Sequence, residues 1–178
     1  MKHHRSHHPT NKVPYHGAGI LFWHQAEDGQ LSVLLGLRSH HPQKGKWSIP
    51  AGGWEDEDSY DGNKKRNYKA TAIRETREEI KLIVDNPNDL TYLWSRHLLV
   101  YHFVVYACQL SEKRKVVRYQ EFSEVKWFPV DSLPAGSVGF VRSQVAALVR
   151  QHHEGEKWYG KNVFTRTHRE STQSDHLS

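Results

Sequence analysis

The chain has 178 residues, of which 37% are hydrophobic and 25% are charged, and these values fit one globular domain with a buried core. No apolar run reaches the roughly 20 residues of a membrane span, and no apolar segment follows the basic start, so we expect neither a membrane partner nor a secretory signal. A single cysteine, Cys108, excludes an internal disulfide and predicts a cytoplasmic location. The net charge of +5 favours anionic ligands, from nucleotides to RNA, without choosing among them.

The two ends of the chain differ in composition from its middle. Residues 1–12 are rich in His, Lys and Arg and have almost nothing to bury, so we expect a disordered His-rich arm. Residues 154–178 are polar and lack hydrophobic periodicity, which predicts a flexible polar tail. The single domain is therefore expected to cover residues 13–153.

The first predicted elements form a hairpin. Gly17–His24 is an apolar run typical of a buried strand, Glu27–Gly29 has the composition of a turn, and Leu31–Arg38 is predicted to be the returning strand. A loop then leads to Trp47–Gly53, a short apolar strand that ends in a glycine pair.

The second half of the chain predicts more strands and a closing helix. Leu90–Leu110 is too long for one ordinary strand, so we expect two central strands divided around Ser95–His97. The polar segment Ser111–Arg118 is expected to be a loop over the site. Tyr119–Phe128 then alternates like a strand, and Ser137–His153 has the spacing of a helix that packs on the sheet.

Between these halves, Lys69–Ile83 is predicted to be an amphipathic helix. Apolar or small residues recur at three- and four-residue spacing and share the buried side: Ala72, Ile73, Thr76, Ile80 and Ile83. Glu75, Glu78 and Glu79 fall together on a neighbouring face, and Arg74 lies one turn before Glu78, close enough to pair with it.

The three glutamates have two interpretations. They are either a solvated acidic face, as charge runs often are, or a set of hard oxygen ligands whose mutual repulsion a divalent cation would relieve. The Gly52-Gly53 pair just upstream favours the second interpretation, because glycine lets a backbone carbonyl approach a ligand closely.

The glycine turn followed by Arg-Glu-x-x-Glu-Glu resembles the box of the Nudix hydrolase family, G-x5-E-x7-R-E-U-x-E-E-x-G-U, where U is a bulky apolar residue. Gly53 matches the first glycine of this pattern, Arg74-Glu75 and Glu78-Glu79 match the two charged pairs, and Leu82 matches the last apolar position. A second similarity follows at Val125–Pro134, which is similar to the family's tryptophan strand and its Leu-Pro turn.

The chain departs from the pattern in its loop and at the end of the helix. The family spacing would put the arginine of the box at position 67, so the loop is longer here, and this insertion is expected to be a surface excursion. The early glutamate cannot be placed, and Glu55 and Glu57 are the candidates. Lys81 replaces a glycine, so the helix either continues to about Val84 or ends in a left-handed cap that costs about 1 kcal/mol.

The resemblance implies a fold and a reaction. The fold is α/β, an α/β/α sandwich around a central mixed sheet. The reaction is hydrolysis of a pyrophosphate bond in a nucleoside diphosphate linked to another moiety, with Mg²⁺ or Mn²⁺ as the cofactor.

The resemblance also implies roles for individual residues. The metal ligands would be the Gly53 carbonyl with Glu75, Glu78, Glu79 and Glu121. Glu75 would be the general base, with Glu79 as the alternative, and Arg74 would orient Glu75 or Glu78.

Two further positions have alternatives that stay open. Glu121 lies six residues before Trp127, where some family members place another metal ligand, and Glu124 is its rival. Arg38 either binds substrate phosphate or caps the edge of the sheet.

The substrate is the least defined of these expectations. A nucleoside triphosphate or a nucleotide sugar is favoured, and an RNA 5′ end ranks below them. The competing hypothesis is a Nudix module that binds a nucleotide or RNA without turnover. Both a monomer and a homodimer remain open.

Overall fold

The computed structural model describes residues 14–60, 65–116 and 121–170, with side chains described up to residue 155. The arm at residues 1–12 lies outside these ranges. The described elements are β1 Tyr15–Gln25, β2 Leu31–Arg38, β3 Trp47–Ser48, β4 Ala51–Gly53, β5 Ser59–Tyr60, β6 Lys65–Arg66, α1 Tyr68–Ile80, β7 Thr91–Leu98, β8 Tyr101–Gln109, β9 Phe122–Pro129 and α2 Val141–Glu170.

Seven of these strands form one mixed sheet. Its main order is β3-β2-β1-β8-β7, while β4 pairs with β1 and β9 pairs with β2. β1 and β8 run parallel along their length, and the other pairs are antiparallel. The central strand β1 therefore lies directly beside the glycine strand β4.

The predicted hairpin is confirmed, with β1 and β2 paired from Trp23 opposite Val33 to Gln25 opposite Leu31. The turn closes through a 2.9 Å hydrogen bond from the Gly29 amide, and Gly29 has a φ of 85°. This left-handed conformation is one that glycine adopts without a steric cost.

The long apolar run at residues 90–110 forms two strands, as predicted, but two details of the prediction were wrong. The break falls at Leu99-Val100 rather than around Ser95–His97. β7 is also an edge strand of the sheet, not a central one. The polar residues are tolerated inside β7 because most of that edge strand is exposed.

A helix packs on each face of the sheet, which confirms the α/β/α sandwich. On the α1 side the buried cluster joins helix and strand residues that include Ala72, Ile80, Ile20 and Phe22. On the α2 side the buried residues include Val141, Val145, Leu148, Leu21 and Val105. The alternation along β1 sends successive side chains to opposite layers, so both cores are anchored on one strand.

Helix α1 has a defined cap at each end. The Asn67 side chain accepts a 3.2 Å hydrogen bond from the Ala70 amide at the start. At the end Lys81 has φ 56° and ψ 21°, so the left-handed cap is the alternative that the chain adopts. The helix ends before Ile83, which is 62% exposed, so its predicted place on the buried side was wrong.

The inserted segment is more ordered than a polar surface loop. A 3-10 helix at Asp56–Asp58 is followed by the two-stranded hairpin of β5 and β6, while residues 61–64 lie outside the described part of the chain. Asp58 is only 3% exposed. The insertion therefore contributes to the interior as well as to the surface.

The end of the chain also differs from the prediction, because α2 continues through Glu170 instead of ending near His153. The sequence from 141 to 170 contains no proline, so no residue type in it forbids a helix. Residues 171–178 lie outside the described ranges. Among the described helices, none is both long and apolar enough to cross a membrane.

Candidate active site

Arg74 is the central charged residue of the site and is only 6% exposed. Its guanidinium forms a bidentate pair with Asp58, through Nε to Oδ1 at 3.0 Å and Nη2 to Oδ2 at 3.0 Å. Planar two-point pairs of this kind hold an arginine in a single orientation. The sequence pattern missed Asp58, although it identified the arginine.

Asp58 is held from two further directions. Its Oδ2 accepts hydrogen bonds from the Thr71 hydroxyl at 2.9 Å and from the Glu55 amide at 3.0 Å. Asp58 is therefore the buried acidic partner of Arg74, and neither Glu55 nor Glu57 forms this bidentate pair. Glu57 is 65% exposed and lies 3.6 Å from Arg74 Nε. Four consecutive acidic residues made the choice undecidable from the sequence.

The other side of the Arg74 guanidinium faces the predicted metal ligands. Nη1 donates to Glu75 Oε1 at 2.9 Å and to Glu78 Oε2 at 3.3 Å, and Nη2 donates to the Gly53 carbonyl at 2.8 Å. Burial alone would lower the pKa of Arg74, but Asp58 and the two glutamates raise it above its ordinary value. Arg74 thus remains charged and donates hydrogen bonds to both Glu75 and Glu78, and the pairing with Glu78 is the one that the helical spacing predicted.

Glu75 lies directly against the glycine turn. A methyl group added to Gly52 would come within 2.2 Å of the Glu75 carboxyl carbon. No side chain larger than hydrogen fits at position 52 unless Glu75 moves. Gly52 therefore provides the space for the Glu75 carboxylate, which is the physical reason for glycine at this position.

Glu79 is the most buried of the three predicted carboxylates, with 5% exposure. Its Oε2 accepts a 2.8 Å hydrogen bond from the Ala51 amide. Burial, followed by the negative charge of Glu75, raises the pKa of Glu79 well above its ordinary value. The two glutamates are thus brought together in a region where ionising both is unfavourable.

Arg38 and Glu121 complete the charges around Glu79. Arg38 Nη2 donates to Glu121 Oε2 at 3.4 Å, while Arg38 Nε is buried without a hydrogen-bond partner. The charge of Arg38 lowers the pKa of Glu79 and that of Glu121 raises it, although burial dominates. The rival ligand Glu124 instead forms an ion pair with Lys126 on the surface.

The donors of this site match a hard divalent cation in chemistry but are not assembled around one point. In the described part of the chain, no three acidic, histidine or cysteine side chains are placed to hold a metal ion. Arg74 engages the Gly53 carbonyl, Glu75 and Glu78. Ligation of a cation therefore requires these oxygens to turn away from Arg74, while the buried repulsion between Glu75 and Glu79 favours a positive charge there.

Sequence reasoning also missed Tyr15. Its half-buried phenol has a raised pKa, first because of burial and then because of Tyr101, Glu75 and Glu79. No motif marks this residue, which lies at the first position of β1.

A family model described as a NUDIX domain matches residues 15–149, which is most of the chain. No curated protein matches the sequence significantly.

Solved structures share the fold at low sequence identity. A MutT/nudix family protein from Enterococcus faecalis is 22% identical with a TM-score of 0.56, covering 71% of this chain and 48% of that one. The NUDIX domain of Shewanella oneidensis NrtR, complexed with ADP ribose, is 20% identical with a TM-score of 0.56 and coverages of 76% and 86%. A C. elegans Ap4A hydrolase is 17% identical with a TM-score of 0.59 and coverages of 79% and 98%. This chain thus spans about half of the Enterococcus protein and most of the other two.

Proposed function

Because the chain belongs to the NUDIX domain family, we propose that it is a divalent-metal-dependent hydrolase of a pyrophosphate bond in a nucleoside diphosphate linked to another moiety. The family match confirms the predicted membership of the Nudix hydrolase family and supports the predicted enzyme class, a pyrophosphohydrolase. Nudix hydrolases generally need a divalent metal ion. The choice of Mg²⁺ or Mn²⁺ as the ion and the identity of the substrate are proposals.

One observation supports catalysis most strongly, namely the buried pair of Glu75 and Glu79 beside the glycine turn. A carboxylate buried next to another carboxylate destabilises the fold unless a cation or a proton compensates it. Burial and the charge of Glu75 raise the pKa of Glu79, which is the direction expected of such a cost. Arg74 compensates the charge of Glu75, whereas Glu79 accepts its hydrogen bond from the neutral Ala51 amide, so a divalent cation would stabilise the pair.

The ion would be held by the oxygens of Glu75, Glu78 and Glu79 with the Gly53 carbonyl and Glu121. When bound, a divalent ion neutralises pyrophosphate oxygens and lowers the pKa of water. Mg²⁺ and Mn²⁺ both favour such an all-oxygen donor set.

The two candidates for the general base have different hydrogen-bond donors. Arg74 donates to Glu75 at 2.9 Å, and the neutral Ala51 amide donates to Glu79 at 2.8 Å. Glu75 is the proposed general base, as the resemblance implies, and Glu79 is the alternative.

Arg38 is assigned to the substrate phosphates. Its 3.4 Å contact with Glu121 is long for a charged pair, and its buried Nε has no partner. The Arg38 side chain is 18% exposed, so an anionic substrate would approach it from that side and offer an acceptor to a terminal nitrogen of the guanidinium. A guanidinium suits this task because it presents several donors to phosphate oxygens.

The favoured substrates are a nucleoside triphosphate and a nucleotide sugar, with an RNA 5′ end ranked below them. The solved relatives in complex with ADP ribose and acting on Ap4A support a nucleotide in general. The one cysteine, Cys108, is free and supports a reducing, cytoplasmic location.

The experiment is phosphate release, coupled to a pyrophosphatase and a phosphatase, from nucleoside triphosphates, nucleotide sugars, ADP-ribose and dinucleoside polyphosphates. Each substrate is tested with Mg²⁺, with Mn²⁺ and with excess chelator. We expect turnover of at least one nucleotide with metal and none with chelator. Turnover that survives chelation would contradict the proposal.

The second candidate function is a binding module without turnover. The observation that favours it is the engagement of the Gly53 carbonyl, Glu75 and Glu78 by Arg74, which leaves no ready metal cage among the described residues. Tight nucleotide binding with no hydrolysis of any substrate in the panel would support this function.

A further inference from the structure

Two histidines face each other near the tip of the β7–β8 hairpin. His97 on β7 lies directly opposite His102 on β8, and the strands are joined by a short turn between Leu98 and Tyr101. The two Nδ1 atoms are 2.9 Å apart, and the ring centroids are 5.1 Å apart with an angle of 66° between the planes. Two ring nitrogens from opposed strand positions therefore converge on one point.

The His102 ring is also supported from the side of β1. His16 lies opposite His102 across β1 and β8, and the two rings stack with centroids 4.7 Å apart and an angle of 10° between the planes. The Nδ1 atom of His16 is in turn 2.7 Å from the Tyr68 hydroxyl, at hydrogen-bond distance. Neighbours that fix a histidine ring in this way orient its free nitrogen for a ligand.

The pair is accessible, and the third ring adds no charge to it. His97 is exposed and His102 is half-buried. Burial, followed by the charge of the exposed Arg66, lowers the pKa of His16, so this ring is neutral at neutral pH. Neutral imidazole is the form of histidine that binds metal ions. The stacked neighbour therefore does not repel a cation from the pair.

The distance between the two nitrogens indicates which ion fits. Metal–nitrogen bonds of about 2.0–2.1 Å place two nitrogens about 3.3 Å apart at a tetrahedral angle and about 2.9 Å apart at a right angle. The observed 2.9 Å matches the right angle between neighbouring ligands of a square-planar or octahedral ion. Tetragonal nitrogen sites are typical of Cu²⁺ and Ni²⁺, whereas Zn²⁺ favours tetrahedral geometry.

We propose that His97 and His102 form a binding site for a divalent transition-metal ion, Cu²⁺ or Ni²⁺. Both Nδ1 atoms bind the ion, and the proton that lies between them moves to Nε2 of its own ring, so both rings stay neutral. Among the residues that the structure describes, no third histidine, cysteine or acidic side chain is placed to join them, so water fills the remaining positions.

This site differs in its donors from the one assigned to catalysis. It offers two imidazole nitrogens, whereas Mg²⁺ prefers oxygen ligands. Excess Mg²⁺ therefore does not displace the ion from the histidine pair. The inference is independent of the proposed hydrolysis and goes beyond it.

The test is calorimetry with Ni²⁺ at neutral pH in excess Mg²⁺. The full chain is used, and every sample carries glutamine at four histidines near its start that would bind the same ion, namely His3, His4, His7 and His8. His97→Gln and His102→Gln are each expected to weaken the tightest Ni²⁺ site about 100-fold, because the second ligand acts at a high effective concentration. His24→Gln is the matched control, since His24 lies elsewhere in the sheet beside the Leu110 carbonyl, and it should bind Ni²⁺ like its parent.

Electron paramagnetic resonance with one equivalent of Cu²⁺ identifies the ligands directly and needs no variant to establish binding. The parent protein is expected to show coupling to two imidazole nitrogens, and His97→Gln is expected to lose one of them. A parent spectrum without imidazole coupling would overturn the proposal. Ni²⁺ binding that is unchanged in either variant, or that excess Mg²⁺ abolishes, would also overturn it.

Discussion

The buried ion pair between Asp58 and Arg74 makes a strong prediction for the variant Asp58→Asn. The substitution keeps the size of the side chain but removes its charge, and it turns one oxygen into an amide that cannot accept from Arg74. Removing one partner of a buried pair typically costs about 3–5 kcal/mol. Arg74 keeps its contacts with Glu75, Glu78 and the Gly53 carbonyl, so we expect the lower end, about 3 kcal/mol.

The assay is urea unfolding at neutral pH, followed by circular dichroism, with thermal unfolding as a second readout. A loss of about 3 kcal/mol corresponds to a fall in Tm of roughly 6–12 °C for a domain of this size. The control is Asp56→Asn, because Asp56 lies in the same 3-10 helix but is exposed, and it should change stability by less than about 0.5 kcal/mol. Equal effects of the two variants would refute the role of Asp58.

Three further predictions concern single positions. Gly52→Ala places a methyl 2.2 Å from the carboxyl carbon of Glu75, so kcat should fall about 100-fold, whereas Gly139→Ala, with nothing within 4 Å, should retain activity. Lys81→Gly should raise the free energy of unfolding by about 1 kcal/mol, because glycine adopts φ 56° without strain, and an unchanged urea midpoint would contradict this. Burial raises the pKa of Cys108 to about 11, so little thiolate forms at pH 8 and a thiol reagent should label it only after unfolding. Rapid labelling of the folded protein would show that the thiol is accessible.

The parts of the site that could be predicted are those encoded by short spacings. Helical periodicity placed Arg74 one turn before Glu78, and the structure shows this contact, whereas the hydrogen bond from Arg74 to the adjacent Glu75 is not one that helical spacing predicts. The conformation of Lys81 could be restricted to two alternatives, because the helix either continues past this position or ends there in a left-handed cap.

The parts that could not be predicted depend on contacts between distant residues. Asp58 contacts Arg74 only because the inserted segment folds back on α1. The three acidic residues before Asp58 have similar side chains, so the sequence alone could not show which of the four would pair with Arg74. Tyr15 is likewise near Glu79 only because β1 is central and α1 packs across it. Propensity also gave no sign that β7 is an edge strand, since edge position is a property of the whole sheet.

The most direct test of the proposed function compares Glu79→Gln with Glu124→Gln in hydrolysis of the best nucleotide substrate at saturating Mg²⁺. Glu79 is buried among the site carboxylates, and Glu124 is a surface residue paired with Lys126. We predict that Glu79→Gln lowers kcat by at least about 100-fold and that Glu124→Gln matches the wild type. Wild-type kcat in Glu79→Gln would contradict the account.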